Sequence, residues 1–427
     1  MRRVKTFEAS VDGPLLLIND AANLIGRGEI RLAAAVGAEA LRTAAKRAQA
    51  DIAVGREPPK SSVAEVAAAG ARLFALRYGL LTPIDVYPLY ENATRAAWGQ
   101  TLDEGLAESA AIWASFSEVA AANPNAWMHK PVPAATIVEA TPDNRMVSFP
   151  YTKMMVANAS VNMGAAVIIA SLGLARKLGI PEDRLVYIGQ GAAAHEDDDF
   201  LKRDFYDHSA SLETTVTAAL ARNALDSQAI DHVELYSCFP CVPKMARRVL
   251  GWSLDRPATV YGGLTFGGGP IGNCMMHAAA QMVHRLREDG MNGLIVANGG
   301  YATHSQSIVL TRTPRPAGTF PQDYNVQPAA DARRGMVPDL IEDYESEGTI
   351  ETFTIPFDRR GAPRSGTIVA RTPGGARFLA HVGADDHATL DLLMARDAQP
   401  IGTRGRAVRD GERSVWYPDT AGAASGT

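Results

Sequence analysis

The chain has 427 residues, 42 of them basic and 47 acidic, for a formal charge of −5. That balance excludes nucleic-acid binding as its main business, which needs a net basic surface. Charged residues at 21% and hydrophobic ones at 46% are near globular averages and exclude disorder, coiled coil and collagen. At roughly 150 residues per domain the length allows two to four domains. The longest apolar runs, such as Ala165 to Leu174, fall short of the roughly 20 residues of a membrane span, and no signal-peptide pattern opens the sequence, so a cytoplasmic protein is expected. Cys238, Cys241 and Cys274 are too few for a disulfide framework and read as reduced thiols.

In chain order, Leu16, Ile18, Ala21, Ala22 and Ile25 keep a helical face, Gly26 to Glu29 punctuate, and Arg31 to Gly37 reads as a strand of small residues before a helix reaching Ala50. Residues 82 to 150 hold prolines at 83, 88, 124, 131, 133, 142 and 150 and a helix-like patch from Leu106 to Ala121. They read as an excursion between core elements. The spacing then predicts a helix over Asn158 to Leu178, a stop at Gly179 and a strand at Leu185 to Gly189. A second α/β half follows: helix Ser211 to Arg222, strand Val233 to Tyr236, helix Val242 to Leu250, a glycine-rich loop at 262 to 272, helix Cys274 to Glu288 and strand Gly293 to Asn298. A proline-rich linker after Pro314 leads to β-like segments at Thr349 to Ile355, Gly366 to Arg371 and Arg377 to Val382, the pattern of a small barrel. The small, polar tail Ala421 to Thr427 is expected to be disordered.

Three stretches carry a resemblance. Asn158-Ala-Ser-Val-Asn-Met-Gly-Ala-Ala166 is similar to a segment N-A-S-G-I-N-D-G-A-A at a buried helix start. Gly262-Gly-Leu-Thr-Phe-Gly-Gly-Gly-Pro-Ile-Gly272 resembles G-G-x-x-x-x-G-H-P-x-G, and Gly293-Leu-Ile-Val-Ala-Asn-Gly-Gly-Tyr301 resembles the strand and turn ending C-x-G-G-G. With Gly28-Glu29 and Val36-Gly-Ala-Glu39, they resemble the thiolase superfamily over roughly residues 10 to 310. The remainder, about 330 to 420, resembles the extra C-terminal domain of type 1 thiolase-like proteins, an oligonucleotide/oligosaccharide-binding (OB)-like barrel.

The resemblance implies a five-layer αβαβα fold of two similar halves: residues 1 to 205, apparently without the first β-α-β-α unit and including the excursion 86 to 150, then 206 to 327. The barrel would fill 328 to 427. It also implies four functional positions. A cysteine at a helix N-terminus attacks the thioester because the dipole favours the thiolate. A histidine in the glycine loop activates it, a second cysteine moves the α-proton, and an asparagine orients water in an oxyanion site. In this sequence they fall at Val11, Gly269, Ala297 and Tyr236. All four are changed, and valine, glycine and alanine neither attack nor move protons.

Remaining candidates for chemistry are Tyr236 and Tyr301, phenols at or beside those positions that could donate to an oxyanion, or act as acid or base if their pKa were lowered, and His277, one turn into the helix after the loop. Gly267, Gly268, Gly269 and Pro270 would allow a substrate close approach. Cys238-Phe-Pro-Cys241 has the form of a redox pair or half a zinc site, but no second pair stands at ligand spacing. Cys274 reads as a small buried residue, His304 as a packing histidine, and His195-Glu-Asp-Asp-Asp199 as a charged surface rather than a metal site. No metal and no covalently bound cofactor is expected; a coenzyme A thioester would be ligand or substrate. The leading expectation is an acyl-CoA-binding protein of lipid metabolism, acyltransferase-like but lacking the catalytic set. An alternative is a retro-aldolase on a β-hydroxyacyl-CoA using Tyr236, and a third is a non-catalytic scaffold. A homo-oligomer or a partner subunit is compatible with each.

Overall fold

The computed structural model describes residues 4–7, 10–56 and 73–419. In chain order, α1 (Gly13–Gly26), β1 (Leu32–Ala40) and α2 (Leu41–Ala53) are followed by α3 (Leu73–Arg77), α4 (Pro83–Ala97), α5 (Leu102–Ala122), α6 (Ala134–Val138), β2 (Met146–Ser148) and β3 (Tyr151–Thr152). Next come β4 (Asn162–Ala170), α7 (Leu172–Lys177), β5 (Tyr187–His195), α8 (Ala210–Arg222), β6 (His232–Leu235), α9 (Cys241–Leu250), α10 (Cys274–Glu288), β7 (Asn292–Gly299) and β8 (His304–Thr311). The last part holds α11 (Gln327–Arg333), β9 (Glu347–Thr354), β10 (Gly366–Arg371), β11 (Arg377–Val382), α12 (His387–Leu393), β12 (Arg404–Asp410) and β13 (Arg413–Pro418).

Two sheets face each other across a pair of helices. The first is the antiparallel pair β1–β4; the second has the order β5-β8-β7-β6, with β6 and β7 parallel. Helices α1 and α10 lie between them, touching both, and α8 and α9 cover the far side of the second sheet. This is the α/β layering expected of the thiolase-like fold. Among the described residues the first sheet has two strands and a bare outer face, where Leu32 is 53%, Val36 65% and Ile168 78% exposed.

The segment expected to be a helix over Asn158 to Leu178 is strand β4 followed by the short α7. Its alternation decides this: Met163, Ala165, Val167 and Ile169 turn toward the helices and Gly164, Ala166, Ile168 and Ala170 outward, with β-branched residues at 167 to 169 that fit a pleat better than a helix. The motif taken for a buried helix start therefore opens a strand. The excursion contains two long helices belonging to the main core, with Tyr90, Trp113 and Phe116 fully buried. Pro83 occupies the first turn of α4, where no N–H is needed, behind a capping box of Thr82 and Asp85.

Strands β9 to β13 close into a five-stranded barrel of order β10-β11-β13-β12-β9 around Ile350, Phe353, Ile368 and Trp416. β12 and β13 were not anticipated from the sequence. The barrel is fastened to the α/β body by two arginines, Arg377 buried and Arg371 half-buried: Glu351 holds Arg371 and Arg377 at 2.7 and 2.6 Å, and Arg377 donates on to the carbonyls of Leu201 and Arg203. The tail expected to be disordered lies outside the described residues. Among the described residues no helix is long and apolar enough to cross a membrane.

Candidate active site

The site is built where the starts of α1 and α10 meet the ends of β6 and β7. β6 runs parallel to β7 with Leu235 opposite Val296, and Tyr236 continues the ladder by donating its N–H to the Val296 carbonyl at 3.0 Å. Tyr236 therefore stands beside Ala297, two of the four changed positions brought together. Strand alternation puts Gly299 on the same face as Ala297. The start of α10 carries the buried Cys274. The start of α1 reaches this face through Asp12, whose Oδ1 lies 3.3 Å from where a Gly299 Cβ would be. Val11, just before α1, is half-buried against the core.

No nucleophile is prepared here. All three thiols are buried. Burial pushes Cys238 up to about 12, with the Tyr87 and Tyr236 phenols and backbone N–H groups only partly offsetting it, and holds Cys241 and Cys274 well above the ordinary thiol range. A thiol in that state is neither thiolate nor metal ligand. Burial likewise raises the Tyr236 phenol well above its usual value, followed in effect by Cys238 and Cys274. Tyr236 is thus a fixed hydrogen-bond donor, not the lowered-pKa acid–base group considered from sequence.

The glycine loop approaches protein. A Cβ on Gly267 would stand 2.5 Å from the Tyr261 ring, and one on Gly268 would stand 2.5 Å from Met163 Sδ. Gly269 donates its N–H to the Asn158 carbonyl at 2.9 Å, and Pro270 accepts from Cys274 N–H at 2.8 Å. All four residues are buried. The loop is also tied to β1, because the Glu39 carboxylate accepts from the N–H groups of Ile271 and Gly272, at 2.7 and 2.5 Å, and Asn273 donates to the Gly37 carbonyl. A protein carboxylate thus occupies the N–H groups ahead of α10.

The other candidates lie apart. His277 stacks on Tyr261 with ring centroids 6.3 Å apart, and burial lowers its pKa to about 4. It lines a cavity of about 380 Å³ shared with Asn123, Met163 and His284, whose wall includes neither Tyr236 nor Ala297. Tyr301 donates to the Leu81 carbonyl at 2.5 Å, and burial, with a smaller contribution from Asp85, raises its phenol to about 12. His304 is bound to Asp198 at 2.7 Å. The acidic run diverges: Glu196 pairs with buried Arg203, Asp197 with Lys202 and Asp198 with His304.

Sequence reasoning missed Tyr87, Asn298 and Asp12. The Tyr87 hydroxyl accepts from Asn298 Nδ2 at 3.0 Å and from Ala302 N–H at 3.2 Å, donates to the Gly300 carbonyl, and stacks its ring on Phe239. It fixes the turn after β7. Only the position of Asp12 next to Val11 could have signalled its place.

Residues 325–412 match the family model of the thiolase-like protein type 1 additional C-terminal domain. Among solved structures the chain is similar to a monomeric SCP2-thiolase-like protein type 1 from Mycobacterium smegmatis, at 28% identity and a TM-score of 0.80, over 96% of this chain and 83% of that one. It shares a fold with an Ltp2-ChsH2(DUF35) aldolase (17% identity, TM-score 0.53, 71% of this chain and 78% of that one). The dimeric peroxisomal thiolase of Saccharomyces cerevisiae is also similar in fold (18%, 0.50, 71% and 75%). No curated protein matches. Residues 325–412 thus match the additional C-terminal domain of type 1 thiolase-like proteins, and the chain as a whole shares the thiolase-like fold of these structures.

Proposed function

We propose that the protein binds an acyl-CoA thioester without forming an acyl-enzyme. The observation that carries this is a thiolase-like frame with altered contents: Asp12 and Val11 at the start of α1 lie by the end of β7, Tyr236 stands beside Ala297, and the thiols of Cys238 and Cys274 are held protonated. Acyltransferase chemistry by the thiolase route has no attacking group in this arrangement. Coenzyme A and acyl-CoA thioesters should raise the unfolding temperature, since only the folded chain can hold them; a concentration 100 times Kd corresponds to about 2.7 kcal/mol. Intact-mass measurement should show no acyl adduct. An adduct on Cys238 or Cys274 would overturn the non-covalent reading, and no thermal shift at millimolar ligand would favour the scaffold reading. Because the excursion is core, point variants rather than its deletion are the proper probes.

Tyr236 favours a second reading, retro-aldol cleavage of a β-hydroxyacyl-CoA. That reaction needs no nucleophilic cysteine, and it does need a donor for the enolate oxygen of the thioester. A phenol kept protonated beside Ala297 suits that role. Tyr236→Phe is expected to lower carbonyl release from a panel of β-hydroxyacyl-CoA substrates by about 10²-fold, the scale of losing one oxyanion donor, with thioester affinity nearly unchanged. Equal rates would remove Tyr236 from the mechanism.

A further inference from the structure

A retro-aldol site also needs a base for the substrate hydroxyl, and the groups around Tyr236 narrow the choice. Cys238 and Cys274 are protonated thiols, and Tyr87 already accepts two hydrogen bonds and donates one. His304 turns its ring to Asp198, and His277 belongs to another cavity. Asp12 is different. It is half-buried at the start of α1, makes no side-chain capping bond, and among the described residues its carboxylate has no hydrogen-bond or ion-pair partner. Its Oδ1 is 3.3 Å from the point where any side chain at 299 would begin, so the carboxylate lies over the backbone at the end of β7, on the face that carries Ala297 and, in the adjacent strand, Tyr236. A carboxylate there opposes an oxyanion at the same spot, which agrees with the loss of the thiolase set. It is suited instead to accept a proton from a neutral hydroxyl.

We propose that Asp12 is the proton-transferring base of this site and that the substrate is a β-hydroxyacyl thioester. The carboxylate takes the β-hydroxyl proton as the bond between Cα and Cβ breaks. The bonding pair passes to the thioester enolate, whose oxygen accepts a hydrogen bond from Tyr236, and the carbonyl fragment leaves. The Asp12 carboxyl then returns the proton to Cα. The products are an aldehyde or ketone and the shortened acyl-CoA, with no oxidant, reductant or metal consumed. Asp12 has this role only if the retro-aldol reading holds.

The test compares wild type, Asp12→Asn, Asp12→Glu and Tyr236→Phe on secondary and tertiary 3-hydroxyacyl-CoA substrates, following carbonyl release and, in deuterated water, deuterium entering Cα of the acyl-CoA product. Unfolding temperatures check that each variant is folded. Should Asp12→Asn not fold, Asp12→Ser, a smaller neutral side chain at the same position, replaces it. The expected result is that Asp12→Asn lowers kcat by about 10²-fold or more, the scale of a general base, with KM within about 3-fold, and that Asp12→Glu restores part of the rate. Cleavage by Asp12→Asn within about 3-fold of wild type overturns the role of Asp12 and leaves the retro-aldol reading standing. No cleavage and no deuterium incorporation by wild type overturns both.

Discussion

Replacing Lys244 by Met is expected to destabilise the protein by about 3 to 5 kcal/mol, the cost of stranding a buried charge. Lys244 is 1% exposed and its partner Glu91 3%. The ammonium on α9 binds Glu91 on α4 at 2.5 Å and the Gly105 carbonyl on α5 at 2.8 Å, while Tyr151 donates to the other Glu91 oxygen at 2.9 Å. One cation thus joins three helices. Met fills a similar volume but leaves the Glu91 carboxylate with a single neutral donor. The double variant Glu91→Gln, Lys244→Met removes the stranded charge and keeps an acceptor for Tyr151, so it should recover at least half of the loss. Thermal unfolding of the three proteins decides the matter. If the double variant is no more stable than the single one, packing and not charge holds this junction.

Glu234 gives the second large effect, and its sign depends on pH. Burial raises its pKa to about 7, against the opposing donors Val260 N–H, the Thr259 hydroxyl and Tyr261 N–H. Its ordinary value is 4.5. Below pH 4.5 the group is protonated in both folded and unfolded chains and costs nothing. As pH rises from 4.5 to 7 the unfolded chain ionises freely while the folded one still holds the buried carboxyl protonated, and above 7 the folded chain must ionise it in place. Its stabilising contribution is therefore present at low pH and lost across that window. The shift corresponds to about 3 kcal/mol. Glu234→Gln retains an oxygen for Thr259 and Val260, which lie 2.8 Å away, and does not titrate. The variant should match wild type near pH 4.5 and exceed it by about 3 kcal/mol near pH 8. Parallel stability curves for the two proteins would refute the assignment.

The second α/β half was legible because its elements announce themselves locally: Gly251 ends α9 in a left-handed conformation, and the helix after the glycine loop begins at Cys274 as expected. α4 was hidden by Pro83 and Pro88, since a first-turn proline helps a helix start and one in the second turn is tolerated in a helix buried from Asp85 to Arg95. β12 was hidden by its composition. Arg404, Arg406 and Val408 face outward while Gly405 and Ala407 face the barrel, so no apolar stripe marks the inner side. Motif spacing singled out Tyr236 and Ala297 separately, and their adjacency appears only when β6 pairs with β7. Asp12 had only its place next to Val11 to mark it, because its contact with Gly299 forms when β7 packs against the start of α1.

The Glu351 junction also determines what the barrel can be. Arg377 is fully buried and reaches the carbonyls of Leu201 and Arg203, while Arg371 reaches that of Asp204, so strands β10 and β11 are stitched to the stretch of chain whose Arg203 also binds Tyr90 and Glu196 in the α/β body. A module on a tether would sample many orientations and lose that freedom when it captured something. This one has none to lose. Any macromolecule that docks beside β10 and β11 meets the barrel and the α/β body already joined, through bonds from Arg371 and Arg377 to the carbonyls of Leu201, Arg203 and Asp204.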